Sequence, residues 1–132
     1  MDLTYRANAP VTAQQVADLF RSAGLRRPVD DLDRIQRMIQ GADLIVSAWD
    51  GGRLVGIARS ITDFAYCCYL SDLAVSADYQ RQGIGQALID RTRAELGDEV
   101  MLLLLSVPDA MTYYPRVGFE PVANGWIIHR AR

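Results

Sequence analysis

The stretch from Leu70 to Gln86 constrains the fold most, because it passes from strand-like to helical periodicity across a glycine-containing turn. Leu70 and the run Leu73–Val75 predict a buried strand, and the apolar residues after Gly85 recur at the spacing of one helix face. The N–H groups in the first turn of a helix have no partner within the helix, and the helix dipole adds positive charge there. The stretch therefore predicts an anion-binding site at the start of this helix.

The composition of the turn suits a phosphate group. Gly83 and Gly85 lack a Cβ, so that an anion can approach the backbone closely, and Arg81 adds a full positive charge. Two glycines at a helix start are common, and a tight turn without a ligand is the alternative. The whole pattern Gln80-x-x-Gly83-x-Gly85, placed between a strand and a helix, resembles the acyl-CoA-binding signature of the GNAT superfamily of N-acetyltransferases. In that family the N–H groups of the turn hold the coenzyme A pyrophosphate.

The resemblance implies acetyl-CoA as co-substrate and no metal. In the family, the backbone of the preceding strand pairs with the pantetheine arm, and one of its N–H groups stabilises the negative charge that develops on the thioester oxygen. The coenzyme-binding residues implied in this way are Leu73, Ala74, Val75, Gln80, Arg81, Gln82, Gly83, Ile84, Gly85 and Gln86.

A second motif, AMTYYPRVGF at Ala110–Phe119, resembles the family's segment Ala-x-x-Phe-Tyr-x-x-x-Gly-Phe. The resemblance places Tyr114 at the position of a tyrosine that commonly gives a proton to the departing thiolate. A free phenol has a pKa near ~10, so tyrosine is protonated at neutral pH and can act as this acid. The alternative is a core tyrosine that anchors the segment. Val107 stands where the family often has an asparagine. The contact that the asparagine side chain makes with the coenzyme is therefore not predicted for this chain.

The other elements follow the order of the same family. Gly56 interrupts its strand and indicates a bulge or a close approach of another backbone. We therefore predict a single α+β domain over residues 1–132, with a GNAT-like mixed, mostly antiparallel sheet flanked by helices and two splayed parallel central strands. Strands are predicted at Leu3–Asn8, Leu44–Trp49, Arg53–Thr62, Ala65–Ser76, Val100–Val107 and Trp126–Arg130, and helices at Ala13–Ala23, about Asp31–Gln40, from Gly83 to Gly97 and around Ala110–Arg116.

Composition excludes several functional classes. The chain has 132 residues, half of them hydrophobic, which is enough for one core. Its net charge of −2 argues against a nucleic-acid partner. No apolar stretch has the length of a membrane span and the first residues do not form a signal peptide, so we expect a cytoplasmic protein. Cys67 and Cys68 are neighbours in a predicted strand and should point to opposite faces as free thiols.

The general base and the acceptor are less constrained by the sequence. Asp72 and Asp63 are the candidates for a base, each with a solvated carboxylate as the alternative, and water can carry the proton instead. Two sets of residues are candidates for the acceptor pocket. The aromatic residues could line it or belong to the core: Trp49, Phe64, Tyr66 and Tyr69. The arginines could recognise an acidic acceptor or lie solvated on the surface: Arg26, Arg27 and Arg37.

The leading hypothesis is an enzyme that moves an acetyl group from acetyl-CoA to a primary amine of a small molecule or peptide. Direct attack in a ternary complex is expected, because neither cysteine has the setting of an activated nucleophile. The alternative is a non-catalytic sensor of acyl-CoA. A toxin-like acetyltransferase of aminoacyl-tRNA is disfavoured by the net charge, and a dinucleotide-binding domain by the glycine spacing. A homodimer is a further hypothesis, in which the apolar segment Gly125–His129 extends the sheet of a second copy.

Overall fold

Five strands form one sheet in the order in which they occur along the chain. The computed structural model describes residues 2–132, apart from the side chain of Asp109. The first four strands are antiparallel neighbours, and the fourth and fifth are parallel, which confirms the mixed, mostly antiparallel α+β fold. The strands are β1 (Leu3–Ala7), β2 (Leu44–Asp50), β3 (Arg53–Thr62), β4 (Cys67–Val75) and β5 (Met101–Leu103).

Three helices cover the two faces of the sheet: α1 (Ala13–Ala23) and α2 (Leu32–Gly41) on one face, and α3 (Ile84–Leu96) on the other. The alternation of side chains along β2 supplies both cores, since Ile45 packs towards α1 and α2 while Val46 packs towards α3. Within residues 2–132, no helix has the length and apolar character needed to cross a membrane.

The first bulge in the sheet lies at Val55 of β3, the residue before Gly56, because Ala48 pairs with Gly56 while Trp49 pairs with Leu54. A Cβ on Gly56 would lie 3.1 Å from Ile84 Cγ2 and 3.1 Å from Leu88 Cδ1. Glycine at this position therefore lets α3 rest directly on the strand backbone, as the interruption of the strand pattern predicted.

The second bulge lies at Ser71 of β4, because Arg59 pairs with Asp72 while Ser60 pairs with Leu70. It changes the phase of the strand: Leu70 packs on the α3 side, whereas Ala74 packs on the side of α1 and α2. β4 pairs with β5 only over Cys67–Tyr69. Beyond this point the two parallel strands diverge, and the edge of β4 is left open.

The chain after β5 contains less regular structure than the sequence predicted. Only three residues of the predicted strand Val100–Val107 pair, and the predicted helix around Ala110–Arg116 is replaced by two 3₁₀ turns, Pro108–Ala110 and Tyr114–Val117. The predicted last strand at Trp126–Arg130 is wrong, since the described residues 118–132 form no helix or strand. A strand requires a partner for its backbone groups, and this segment has none in a single chain. β5 is consequently the edge strand of the sheet.

Candidate active site

A cavity of about 760 Å³ opens where β4 and β5 diverge. The loop between α1 and α2, the open edge of β4, the turn before α3 and the 3₁₀ turns form its wall. Its volume lies in the range of about 300–1,000 Å³ that is typical of ligand sites. It brings together all but one of the predicted site residues: Leu73, Ala74, Val75, Gln80, Arg81, Gly83, Ile84, Gly85, Gln86 and Tyr114 line it, whereas Gln82 is exposed in the same turn.

The turn before α3 has an unusual backbone. Arg81 has a φ of 64° and Gly83 a φ of 82°, both in the left-handed region that side chains with a Cβ rarely adopt. A Cβ on Gly83 would meet no atom within 4 Å, so the space in front of the helix is open. The helix start has no side-chain cap and no acidic residue in its first turn. Its N–H groups are therefore free to bind an anionic ligand.

Gly85 is small for a reason that the sequence did not indicate. A Cβ on Gly85 would lie 2.7 Å from the hydroxyl oxygen of Tyr113, which occupies this space. Burial, and then the charge of Asp90, raise the pKa of Tyr113 above its ordinary value. The contact joins the glycine turn to the segment that carries Tyr114. No periodic pattern in the sequence relates the two positions, so this contact could not be predicted from it.

Polar contacts from α1 and from the turn itself hold this backbone in place. Ser22 Oγ lies 2.9 Å from Ser76 Oγ and accepts a hydrogen bond of 3.0 Å from the N–H of Ala77. Gln80 Nε2 donates to the carbonyl oxygen of Val75 at 3.0 Å. The Gln80 side chain of the signature thus connects the turn to the end of β4.

Tyr114 lies where this cavity meets β5. Its ring contacts those of Tyr113 and Phe119 edge-on, with centroid distances of 5.2 and 5.5 Å. Burial, with a smaller effect of Tyr113, raises the pKa of Tyr114 above its ordinary value of 10.0. The phenol is therefore protonated at neutral pH and held by two aromatic neighbours, as a proton donor must be.

Asp72, one of the two candidate bases, is fully buried between two arginines. Arg27 Nε donates to its Oδ1 at 2.5 Å, and Arg59 Nε donates to its Oδ2. Arg27 also donates to the carbonyl oxygen of Ser71 at 2.9 Å, and Arg59 to the hydroxyl of Ser71 at 3.1 Å. This cluster fixes the bulge, and its carboxylate is out of reach of an amine. An arginine at position 59, amid the buried residues of β3, was the sequence signal for a buried partner.

Asp63, the other candidate base, closes the loop between β3 and β4. Its Oδ1 accepts hydrogen bonds from the N–H groups of Ala65, Tyr66 and Cys67 at 2.9, 2.8 and 3.1 Å. These bonds lower the pKa of Asp63 to about 2. A carboxylate stabilised in this way is a weak base. The described side chains that line the cavity include no Asp, Glu or His.

We expect Asp63 to titrate near pH 2 in the folded protein. Since this pKa is lower than the ordinary value of 3.8, the carboxylate favours folding above about pH 4, and this contribution is lost as the pH falls towards 2. The amide chemical shifts of residues 65–67, followed by NMR against pH, report the midpoint. The Asp63→Asn variant should lack the titration, and a wild-type midpoint near 3.8 would contradict the hydrogen-bonded loop.

Comparisons with known proteins agree with this arrangement. A family model described as an acetyltransferase (GNAT) domain matches residues 11–126. The chain belongs to the GNAT family. The GNAT fold is shared with a probable acetyltransferase from meticillin-resistant Staphylococcus aureus, with a TM-score of 0.82 and 22% identity over 98% of this chain and 100% of that chain.

Two curated relatives extend the comparison to sequence. The uncharacterized N-acetyltransferase ycf52 of Pyropia yezoensis is 23% identical over 131 residues, which are 94% of this chain and 74% of that protein. Histone acetyltransferase TAP1 of Glycine max is 33% identical over 75 residues, which are 55% of this chain and 32% of that protein. The predicted family membership is thus confirmed, and the chain is a GNAT-type acetyltransferase.

GNAT acetyltransferases use acetyl-CoA, which supplies an acetyl group activated as a thioester. The residues present fit this coenzyme, because the open space at Gly83, the free N–H groups of α3 and the charge of Arg81 lie together at one end of the cavity. Among the described residues, no group of three or more His, Cys, Asp or Glu side chains is placed to hold a metal ion.

Proposed function

We propose that residues 1–132 form a single acyl-CoA-dependent N-acetyltransferase domain. It transfers an acetyl group from acetyl-CoA to the primary amine of a small molecule or peptide, by direct attack in a ternary complex. The observation that carries this proposal is one continuous cavity, which runs from the anion-binding turn before α3, along the open edge of β4, to Tyr114.

The coenzyme-binding residues divide into two groups by position. The N–H groups of the turn and the Arg81 side chain bind the pyrophosphate, since both present positive charge to open space. The backbone of Leu73–Val75 pairs with the pantetheine arm, because β4 has no strand partner on this edge. An N–H of the same stretch stabilises the negative charge that develops on the thioester oxygen.

Proton transfers complete the reaction. Tyr114 gives its hydroxyl proton to the leaving sulfur while the amine nitrogen bonds to the acetyl carbon and the carbon–sulfur bond breaks. Water takes the proton that the amine loses, because Asp72 and Asp63 are engaged in structural contacts. Direct attack is supported by Cys68, which is buried and has its pKa raised by that burial, so that it is a poor nucleophile.

Turnover with a panel of amines tests the proposal. Free thiol released from acetyl-CoA is measured with a histone-type lysine peptide, chosen from the name of the soybean relative, and with aminoglycosides, polyamines and amino acids. We expect thiol release that depends on the amine, with an acetylated product seen by mass spectrometry. Calorimetric binding of acetyl-CoA without thiol release across the panel would favour the sensor instead. The cytoplasmic location stays a prediction from the sequence.

A further inference from the structure

The active-site cavity, which opens where β4 and β5 diverge, has arginines in two separate parts of its wall. Arg81 lies in the turn before α3, whereas Arg26 and Arg27 belong to the loop between α1 and α2. Arg27 reaches β4 at Ser71, where its Nη2 donates to the carbonyl oxygen at 2.9 Å. Ser71 precedes the stretch Leu73–Val75 that is proposed to pair with the pantetheine arm. The loop arginines therefore flank the part of the cavity that the coenzyme leaves to the acceptor.

Arg27 belongs to a group with more positive than negative charge, here called the arginine cluster and defined as Arg27, Asp72 and Arg59. Asp72 is fully buried between the two arginines, and the Arg59 side chain is only 9% exposed. Among the described residues, no second carboxylate pairs with either arginine. The cluster thus keeps one uncompensated positive charge, and a charge held away from water is costly without a counter-ion.

Arg27 is the member of the arginine cluster that reaches the cavity. Its side chain is 26% exposed and lines the cavity, which Arg59 does not. Three of its five N–H groups donate to described atoms: Nε to Asp72, Nη1 to the carbonyl oxygen of Arg26 at 2.7 Å, and Nη2 to that of Ser71. One N–H on each terminal nitrogen is left for a ligand. Because the guanidinium is already held in place, a ligand binds these donors at little cost in conformational entropy.

Arg26 adds a second positive charge beside Arg27. Its side chain is exposed, and none of the described ion pairs includes it. The described side chains that line the cavity include no Asp or Glu that could balance these charges. Such a wall attracts an anionic group and repels the additional ammonium groups of a polyamine or an aminoglycoside.

We propose that the acceptor is a primary amine that also carries a carboxylate, such as an amino acid, and that Arg27 binds this carboxylate with Arg26 beside it. The inference rests on the proposed acetyl transfer and narrows the class of its acceptor. A carboxylate supplies the single negative charge that the arginine cluster lacks, and its two oxygens suit the two donors that Arg27 has left. With its carboxylate held beside Ser71, the acceptor presents its amine towards Leu73–Val75.

The positive charge of the loop also helps the amine to react. An amine attacks a thioester only in its neutral form, and nearby guanidinium groups lower the pKa of an ammonium group. The site therefore favours the nucleophilic form of the acceptor without a carboxylate base. This agrees with the structural contacts of Asp72 and Asp63, which occupy the two carboxylates that the sequence offered as bases.

Matched pairs of acceptors test the preference. Each free amino acid is compared with its amide, in which an uncharged group of similar size replaces the carboxylate, and lysine is compared with cadaverine, which lacks the carboxylate altogether. Thiol release from acetyl-CoA gives kcat/KM for each acceptor. We expect the wild type to use the amino acids at least ~10-fold better, with the difference mainly in the KM for the acceptor. Equal or better use of the amides and of cadaverine would overturn the proposal.

Two substitutions test whether the preference resides in the loop. Arg27→Gln removes the uncompensated charge but leaves Asp72 paired with Arg59, so the ratio of kcat/KM for amino acid and amide should fall close to one. Arg26→Glu reverses an exposed charge and should lower this ratio several-fold. The matched control is Arg37→Glu, the same change at an exposed arginine of α2 that does not line the cavity, and it should keep the full ratio.

The ratio separates recognition from folding. A general loss of structure lowers the rates with both acceptors and leaves their ratio unchanged, whereas the loss of a carboxylate contact lowers only the rate with the amino acid. If the loss of one ion pair to Asp72 prevents Arg27→Gln from folding, the exposed Arg26→Glu change still decides the question. A full ratio in the folded variants would overturn the proposal.

The same assay distinguishes this inference from the proposed function. Thiol release that depends on the amine but not on its carboxylate would contradict the preference alone and leave acetyl transfer standing. The absence of thiol release with every acceptor, despite binding of acetyl-CoA, would contradict acetyl transfer and the preference with it.

Discussion

The Gly83→Glu substitution is expected to abolish the rise in melting temperature that acetyl-CoA causes in the wild-type protein. At a concentration 100 times its dissociation constant, a ligand that binds only the folded state adds about 2.7 kcal/mol of stability. For a chain of this size this corresponds to a shift on the order of 10 °C. Glutamate at position 83 puts a side chain and a negative charge into the open space where the pyrophosphate is proposed to bind.

Two controls separate the causes of the expected loss. Gly83→Gln has nearly the same size and the same strain at a φ of 82° but no charge, so it should keep part of the shift. Gly51→Glu places the same charge at another glycine of positive φ, in the turn between β2 and β3, and should keep all of it. An unchanged shift in Gly83→Glu would disprove the assignment of the coenzyme site.

The Tyr114→Phe substitution is expected to lower kcat by at least ~10-fold, and by up to ~10⁴-fold if proton delivery limits the rate. It removes only the hydroxyl, so the contacts of the ring with Tyr113 and Phe119 are kept. The KM for acetyl-CoA should therefore be nearly unchanged. Steady-state kinetics with the best amine of the panel measures both constants.

The pH profile identifies the acid more sharply than the rate alone. Because burial raises the pKa of Tyr114 above 10.0, the donor is protonated below this pKa, and kcat should fall only as the pH rises through it. The variant should lack this alkaline limb. Tyr113→Phe is the matched control, since it removes the neighbouring hydroxyl over Gly85 and should keep the limb. Full activity of Tyr114→Phe would make Tyr114 a structural residue.

The sequence predicted the fold and the glycine turn well because both depend on local patterns. Helix α1 has the predicted bounds, Ala13–Ala23, and Thr12 caps it: the N–H of Gln15 donates to Thr12 Oγ1 at 3.0 Å, and the N–H of Thr12 donates to Gln15 Oε1 at 2.9 Å. Strand β3 has the predicted bounds, Arg53–Thr62, and the turn at Gly51 and Gly52 fixes where it begins.

The parts that the sequence did not predict depend on distant partners. The buried pairing of Asp72 with Arg27 and Arg59 joins two strands and a loop. The sequence indicates at most that Arg59 needs a buried partner, and no spacing along the chain identifies that partner. The segment Trp126–Arg130 has the composition of a strand, but composition does not supply a neighbour with which to pair. Its extended, exposed course in the single chain follows from the absence of that neighbour.

The hydroxyl of Tyr113 over the Cα of Gly85 makes these two positions interdependent in evolution and in design. A methyl group at position 85 fits only if the Tyr113 hydroxyl moves or is absent, so alanine at position 85 should be tolerated better with phenylalanine than with tyrosine at position 113. The residue at position 85 and the aromatic residue before Tyr114 are therefore not independent choices. A mutational scan that changes one position at a time would assign the cost of a larger residue to position 85 alone, although this cost belongs to the pair.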